Sequence, residues 1–315
     1  MNMKKEILVT GYINPDLDGF ACIFTYADFL NKTGKKAVAS VAGQHHEEAD
    51  HVLSEYNLKF KIKDENPKNF QKIVLVDASD LDGIDKRINP ENVIQIIDHR
   101  KINMSESFPN AQVQIELVGA AATLIAEKYR DNNLSIPKNI ATLIYGAIIS
   151  NTLNFQAKVT TERDKTVTKW LKKENNFPNN FAHKMFLAKS DVSGAKLTKM
   201  IRGDFANFKS HNFNNKQVGI AQIEMIEGQK MVKERKGEIV SEIKKIMHEL
   251  SLDIVFLTVI DLEDRQNILI APNKEIEKLL EKILNIKFAD QIAIRPGLIM
   301  RKEIVPLIKE ELTKS

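Results

Sequence analysis

Asp16, Asp18, Asp77 and the run Asp98-His99-Arg100 each follow an apolar, strand-like stretch, a pattern that delivers carboxylates and an imidazole to one end of a parallel sheet. The stretches are Ile7-Leu8-Val9-Thr10 before Gly11-Tyr12-Ile13-Asn14-Pro15-Asp16-Leu17-Asp18, Ile73-Val74-Leu75-Val76 before Asp77, and Val93-Ile94-Gln95-Ile96-Ile97 before Asp98. Carboxylates gathered in a cleft repel one another, and a cation is the usual means of keeping them ionised. Oxygen donors with one imidazole suit manganese or magnesium, and a thiolate-dependent centre is excluded because Cys22 is the only cysteine. Asp16 and Asp18, two positions apart in a turn, can serve two ions with Asp77 between them, and such a pair can activate a water and clamp an in-line displacement at phosphorus. The bland alternative for either residue alone is a helix N-cap or a turn.

Such residues need a scaffold, and the apolar periodicity supplies one. Strands are expected near 6–10, 37–41, 73–77, 93–97 and 112–117, alternating with helices near 18–32, 46–56, 119–130, 138–150 and 161–174. This is α/β winding, in which ligands collect at the carboxyl ends of strands. Asn175 to Asn180 reads as a loop, and 189–195 as a linker between a metal-binding domain at 1–188 and a substrate-binding domain at 196–315. The second domain is a smaller α/β unit, with strands near 217–224, 253–261 and 267–271, helices near 227–250 and 273–285, and a further piece after Arg295-Pro296-Gly297. The long helix balances its lysines and arginines against glutamates and repeats apolar residues at Ile239, Ile243 and Ile246, so it reads as a packing helix with a solvated face.

Composition fits an ordinary enzyme. The chain has 315 residues, 43% hydrophobic, with a formal net charge of +4 and intermixed charge signs, which gives no argument for nucleic acid. No apolar leader core precedes the first strand, and 140–149 is too short to cross a bilayer, so a cytoplasmic protein is expected. Cys22 and Trp170 read as core residues. His45 and His46 lie beside Glu47 and Glu48, but adjacent residues seldom converge on one ion, and a surface loop or helix start is the preferred reading.

The ordered strings Gly11 to Asp18, Val76-Asp77, Asp98-His99-Arg100 and Ser150-Asn151-Thr152-Leu153-Asn154-Phe155 resemble the family II, manganese-dependent inorganic pyrophosphatases of the DHH phosphoesterase superfamily. Thr160 to Asp164, Ala188 to Asp191, Ile220-Ala221-Gln222 and Arg301 to Pro306 are similar to later landmarks, so the resemblance runs nearly end to end. It implies a mainly parallel sheet flanked by helices, a smaller C-terminal α/β domain, and an active site in the cleft between them. It also implies hydrolysis of a phosphoanhydride, first of all inorganic pyrophosphate, by a metal-activated water, and a homodimer. One Mn2+ would be held by Asp16, Asp77 and Tyr12, and a second by Asp18, Asp77, His99 and Asn151, with Mg2+ or Co2+ as substitutes. Asp77, His99 and Arg100 would be catalytic, while Arg100, Lys209, Arg301 and Lys302 would bind substrate.

Three positions depart from that family. Tyr12 stands in place of a histidine, Asn151 in place of an aspartate, and Arg100 in place of the second histidine of the DHH run. A neutral phenol and an amide are poorer ligands than the groups they replace. The Asp-His-Arg form also resembles the prune-like and short-chain exopolyphosphatase branch of the superfamily. Short polyphosphate or nucleotide hydrolysis, and a degenerate homologue that binds a phosphorylated ligand or a partner without turnover, are the alternatives.

Overall fold

The computed structural model describes residues 4–100, 103–208 and 213–314, and the chain divides into two compact units, Met1–Met185 and Phe186–Ser315. In the first, β1 (Lys4–Thr10), β2 (Ala37–Ala39), β3 (Phe70–Val76), β4 (Val93–Asp98) and β5 (Gln112–Ile115) form a sheet of order β2-β1-β3-β4-β5. Every pairing is parallel. Leu8, Val9, Ile73 to Val76, Ile96 and Ile97 are buried in continuous runs, as strands covered on both faces require.

The helices of this unit are α1 (Leu17–Lys32), α2 (Glu47–Glu55), α3 (Ala121–Asp131), α4 (Lys138–Asn151), α5 (Glu162–Glu174) and α6 (Phe181–Lys189), the last running across the division. α1 is buried on nearly all sides, from Leu17 to Ala27 without a break, so its apolar content exceeds a single amphipathic stripe. α5 begins with a capping box in which Thr161 and Asp164 bond reciprocally. Its buried face is Asp164, Val167, Thr168 and Leu171; Trp170 lies beside that stripe and is half-buried, contrary to the expectation of a core residue.

The second unit contains α7 (Lys196–Gly203), β6 (Phe205–Asn207), β7 (Val218–Met225), α8 (Gly228–Glu249), β8 (Ile254–Asp261), β9 (Gln266–Ile270), α9 (Lys274–Leu284), β10 (Ile292–Pro296) and α10 (Arg301–Thr313). Its sheet runs β10-β9-β8-β7-β6, with β7 and β8 parallel and the outer pairings antiparallel. Alternation along β7 and β8 sorts the core: Ala221, Ile223, Val255 and Leu257 pack with Ile239, Ile243 and Ile246 of α8. Val218, Ile220, Ile254 and Phe256 face the other way, onto Ile276 and Leu280 of α9 and Ile304 and Ile308 of α10. The segment 189–195, read from sequence as a linker, is bonded into this unit. Ser190 Oγ accepts from the Ile226 N–H at 2.9 Å, and the Arg235 guanidinium donates to the Val192 and Gly194 carbonyls at 2.8 and 3.1 Å.

Candidate metal centre

Strand order reverses between β1 and β3, so the chain leaves these neighbours in opposite directions and opens a crevice at their carboxyl ends. Asp18 enters it from the first turn of α1, Asp77 from the residue after β3, and His99 from the residue after β4. One donor atom from each of the three lies within 4.8 Å of the others. His99 Nε2 is 3.4 Å from Asp77 Oδ1 and 3.9 Å from Asp18 Oδ2. The Val118 carbonyl is 2.9 Å from His99 Nδ1, and since a carbonyl only accepts, that nitrogen carries a proton and Nε2 faces the carboxylates.

The backbone is shaped around Asp77. Its φ of 51° puts a non-glycine residue in the left-handed region, a conformation that persists only where surrounding contacts impose it. Gly11 permits the close approach of the chain after β1, because a Cβ there would meet the Val76 carbonyl oxygen at 2.7 Å. Gly19 leaves space over Asp77 Oδ2, which a Cβ would approach to 3.3 Å. Asp77 Oδ1 is buried without a hydrogen-bond partner, its neighbours being too long or misaligned. An orphaned buried carboxylate oxygen facing an imidazole nitrogen and a second carboxylate is the donor set of a hard divalent cation.

Asp18 is fixed from the opposite side. Its oxygens accept from the N–H groups of Ala121 at 2.7 Å and Ala122 at 2.9 Å, so the carboxylate caps α3, whose own N-cap residue Ala120 has no capping side chain. Asn151 Nδ2 donates to Asp18 Oδ2 at 2.8 Å, and the Cys22 thiol lies 3.5 Å from Oδ1. Asp98 is an anchor: fully buried, it accepts from Ser79 Oγ and from the His99 N–H.

Burial and the charge of Asp77 push the Asp18 carboxyl up to about 7, against the pull of His99. Burial also raises Asp77, opposed by its contact with His99. Burial alone would depress His99, but the contact with Asp77 and the charge of Asp18 outweigh it and raise the imidazole to about 10. A cation at Nε2 must displace that proton. A histidine raised from 6.5 stabilises the fold fully below that value and loses the contribution as pH climbs through about 10. The metal-free protein is therefore expected to lose stability from about pH 6.5 to 10 while the stabilisation given by Mn2+ grows. Thermal melts with and without Mn2+ across that range check this, and a metal-induced shift that shrinks as pH rises would contradict it.

Asp16 and Tyr12, which the resemblance assigns with Asp77 to the other ion, each make a hydrogen bond of their own. Asp16 is the N-cap of α1, its Oδ1 accepting from the Gly19 N–H at 2.9 Å. The Tyr12 hydroxyl donates to Asp80 Oδ2 at 2.7 Å, and burial with that bond pushes the phenol up to about 12. Lys209 lies outside the described residues. Arg301, first residue of α10, donates through its guanidinium to the Asp204 carboxylate at 2.7 Å and the Asp204 carbonyl at 2.6 Å, and Lys302 beside it is exposed. His45 pairs with Asp50 at 2.7 Å and packs on Phe20, apart from the cluster.

Sequence reasoning missed the supporting atoms: the α3 N-terminus, the Val118 carbonyl and Asp80. A signal existed for the first. Gly119-Ala120-Ala121-Ala122 begins a helix with no local side-chain acceptor, so a distant one is required.

The fold agrees with what the chain resembles among known proteins. Residues 6–148 match the DHH family N-terminal domain and residues 183–311 the DHHA2 domain. The chain belongs to the DHH superfamily, among its inorganic pyrophosphatase-like members. It is 30% identical over 319 residues to a manganese-dependent inorganic pyrophosphatase of Methanothrix thermoacetophila, covering 99% of this chain and 100% of the relative. To the manganese-dependent inorganic pyrophosphatase of Bacillus subtilis (strain 168) it is 28% identical, covering 98% and 100%. A solved Methanococcus jannaschii structure, assigned to the family II inorganic pyrophosphatases, superposes with a TM-score of 0.70 at 26% identity, covering 98% of this chain and 99% of that one.

Proposed function

We propose that this protein hydrolyses a phosphoanhydride bond in a divalent-metal-dependent reaction, with inorganic pyrophosphate as substrate and Mn2+ as the preferred ion. The observation that carries the reading is the convergence of Asp18, Asp77 and His99 on one point, with Asp77 Oδ1 buried and without a hydrogen bond. The names of the full-length relatives support manganese and pyrophosphate. A bound divalent ion supplies a Lewis acid for phosphoryl oxygens and lowers the cost of deprotonating a water nucleophile. Asp18 and Asp77 hold it, and His99 completes the set through Nε2, fixed in direction by Val118. Arg100 keeps its charge at all working pH values and offers guanidinium donors to phosphate oxygens. It cannot pass a proton to a leaving oxygen, so that proton comes from solvent. From the resemblance, we propose Arg301, Lys302 and Lys209 as further phosphate contacts and a homodimer as the working form.

The test is phosphate release from pyrophosphate by the full chain with Mn2+, with Mg2+, and after chelation. Turnover is expected with Mn2+, weaker with Mg2+ and absent after chelation. No release with either ion, from protein shown to be folded and metal-loaded, would overturn the assignment of substrate.

A further inference from the structure

Resting on the metal-dependent reading above, we infer that this chain holds one divalent ion, at Asp18, Asp77 and His99, and that the Arg100 guanidinium is a built-in replacement for a second. Of the residues that the resemblance assigns to the other ion, Asp16 lies beside Asp77, both reaching the space over Gly19, but Tyr12 is committed elsewhere. The Tyr12 hydroxyl is bonded to Asp80, and the face of its ring is covered by Arg100, whose Cζ lies 4.5 Å from the ring centroid. That stack fixes the guanidinium against Asp77: Nη1 donates to the Asp77 carbonyl at 2.6 Å, and Nη2 lies 3.6 Å from Asp77 Oδ1. Nη1 is also 3.4 Å from Asp98 Oδ2, so the cation is clamped from three sides.

The clamp depends on more than Arg100. Tyr12 is held by an isolated backbone bridge to Ile84, and Gly83 makes room for its ring, since a Cβ at 83 would sit 2.0 Å from the Tyr12 ring carbons. Tyrosine, glycine and arginine thus form one unit that puts a permanent positive charge beside Asp77. Charge balance points the same way. Arg100 offsets one negative charge of the group formed by Asp16, Asp18, Asp77 and Asp98, and Asn151 brings an amide that donates to Asp18 where the resemblance expects another carboxylate. A second ion on this side of Asp77 would be repelled by the guanidinium, whose Nη2 lies 3.6 Å from Asp77 Oδ1. Arg100 then adds a fixed positive charge beside the bound ion, insensitive to metal supply, as well as its donors to phosphate.

The experiment is the Mn2+ stoichiometry of the full chain, by equilibrium dialysis with elemental analysis and by electron paramagnetic resonance of the loaded protein. One ion per chain is expected, with the signal of an isolated Mn2+ at saturation. Two ions per chain, with the spectrum of a coupled pair, would overturn the inference and leave the proposed hydrolase intact. No bound ion would overturn both. The double variant Tyr12→His with Arg100→His is expected to take up a second ion; if it folds and still binds one, the claim that Arg100 and Tyr12 exclude that ion fails. The wild-type stoichiometry decides the matter even where that variant does not fold.

Discussion

Asp77→Asn is expected to weaken Mn2+ binding by more than about 100-fold, the upper end of what merely supporting groups around a metal contribute, and to abolish pyrophosphate hydrolysis with it. The substitution preserves volume but removes the charge at Oδ1, the buried oxygen that accepts no hydrogen bond. It also places a neutral amide beside His99 and Arg100, whose positive charges Asp77 offsets. Fold and binding separate cleanly in the measurement. Titration calorimetry reads the affinity, and circular dichroism shows whether the variant is folded, as expected because asparagine tolerates the left-handed backbone of position 77 well. Unchanged Mn2+ affinity in a folded variant would remove Asp77 from the centre.

The largest loss of stability is expected at Asp164. This carboxylate is fully buried and accepts from the Gly119 N–H at 2.9 Å, Thr123 Oγ1 at 2.6 Å, and the N–H and Oγ1 of Thr161, both at 2.7 Å. It ties the start of α5 to the connection between Val118, which orients His99, and α3, whose N-terminus holds Asp18. Gly119 is packed so closely that a Cβ would meet Thr152 at 2.5 Å and Asp164 at 2.9 Å. Asp164→Ala leaves several buried donors unmatched, at a cost of roughly 3–5 kcal/mol, comparable to breaking a buried charged network. At about 2 °C or more per kcal/mol for a chain of this size, the melting temperature should fall by at least about 6 °C. Because the same contacts support His99 and Asp18, Mn2+ affinity should fall as well. A variant that melts within about 2 °C of wild type would show that Asp164 is not the tie described here.

The parts of this molecule written in local pattern were legible. Continuous apolar runs ending in Asp77 and Asp98 gave the interior strands of a covered parallel sheet, and the carboxyl-end rule then placed the chemistry. Short elements were legible only in part: β2, α2, β5 and β9 were read, whereas α6 and α7, of nine and eight residues, β6 of three and β10 of five were not, too few to establish a period against the surrounding polar residues. Nor does local pattern show where a side chain turns. Tyr12 aligns with a ligand position, yet its hydroxyl found Asp80, sixty-eight residues on, and its ring found Arg100. Asp18 meets the α3 N-terminus 103 residues away, a contact that only the folded sheet brings about. The Asp-His-Arg run was visible from the start, but the consequence of its arginine lay in what the guanidinium touches.

The account rests on an ion bound where Asp18, Asp77 and His99 converge, and anomalous diffraction at the manganese edge from crystals of the full chain grown with Mn2+ tests that most directly. A single strong anomalous peak in contact with Asp77 Oδ1 and His99 Nε2, and beside Asp18, is the result the account predicts. A map in which these three side chains are well ordered and no manganese lies among them would contradict it.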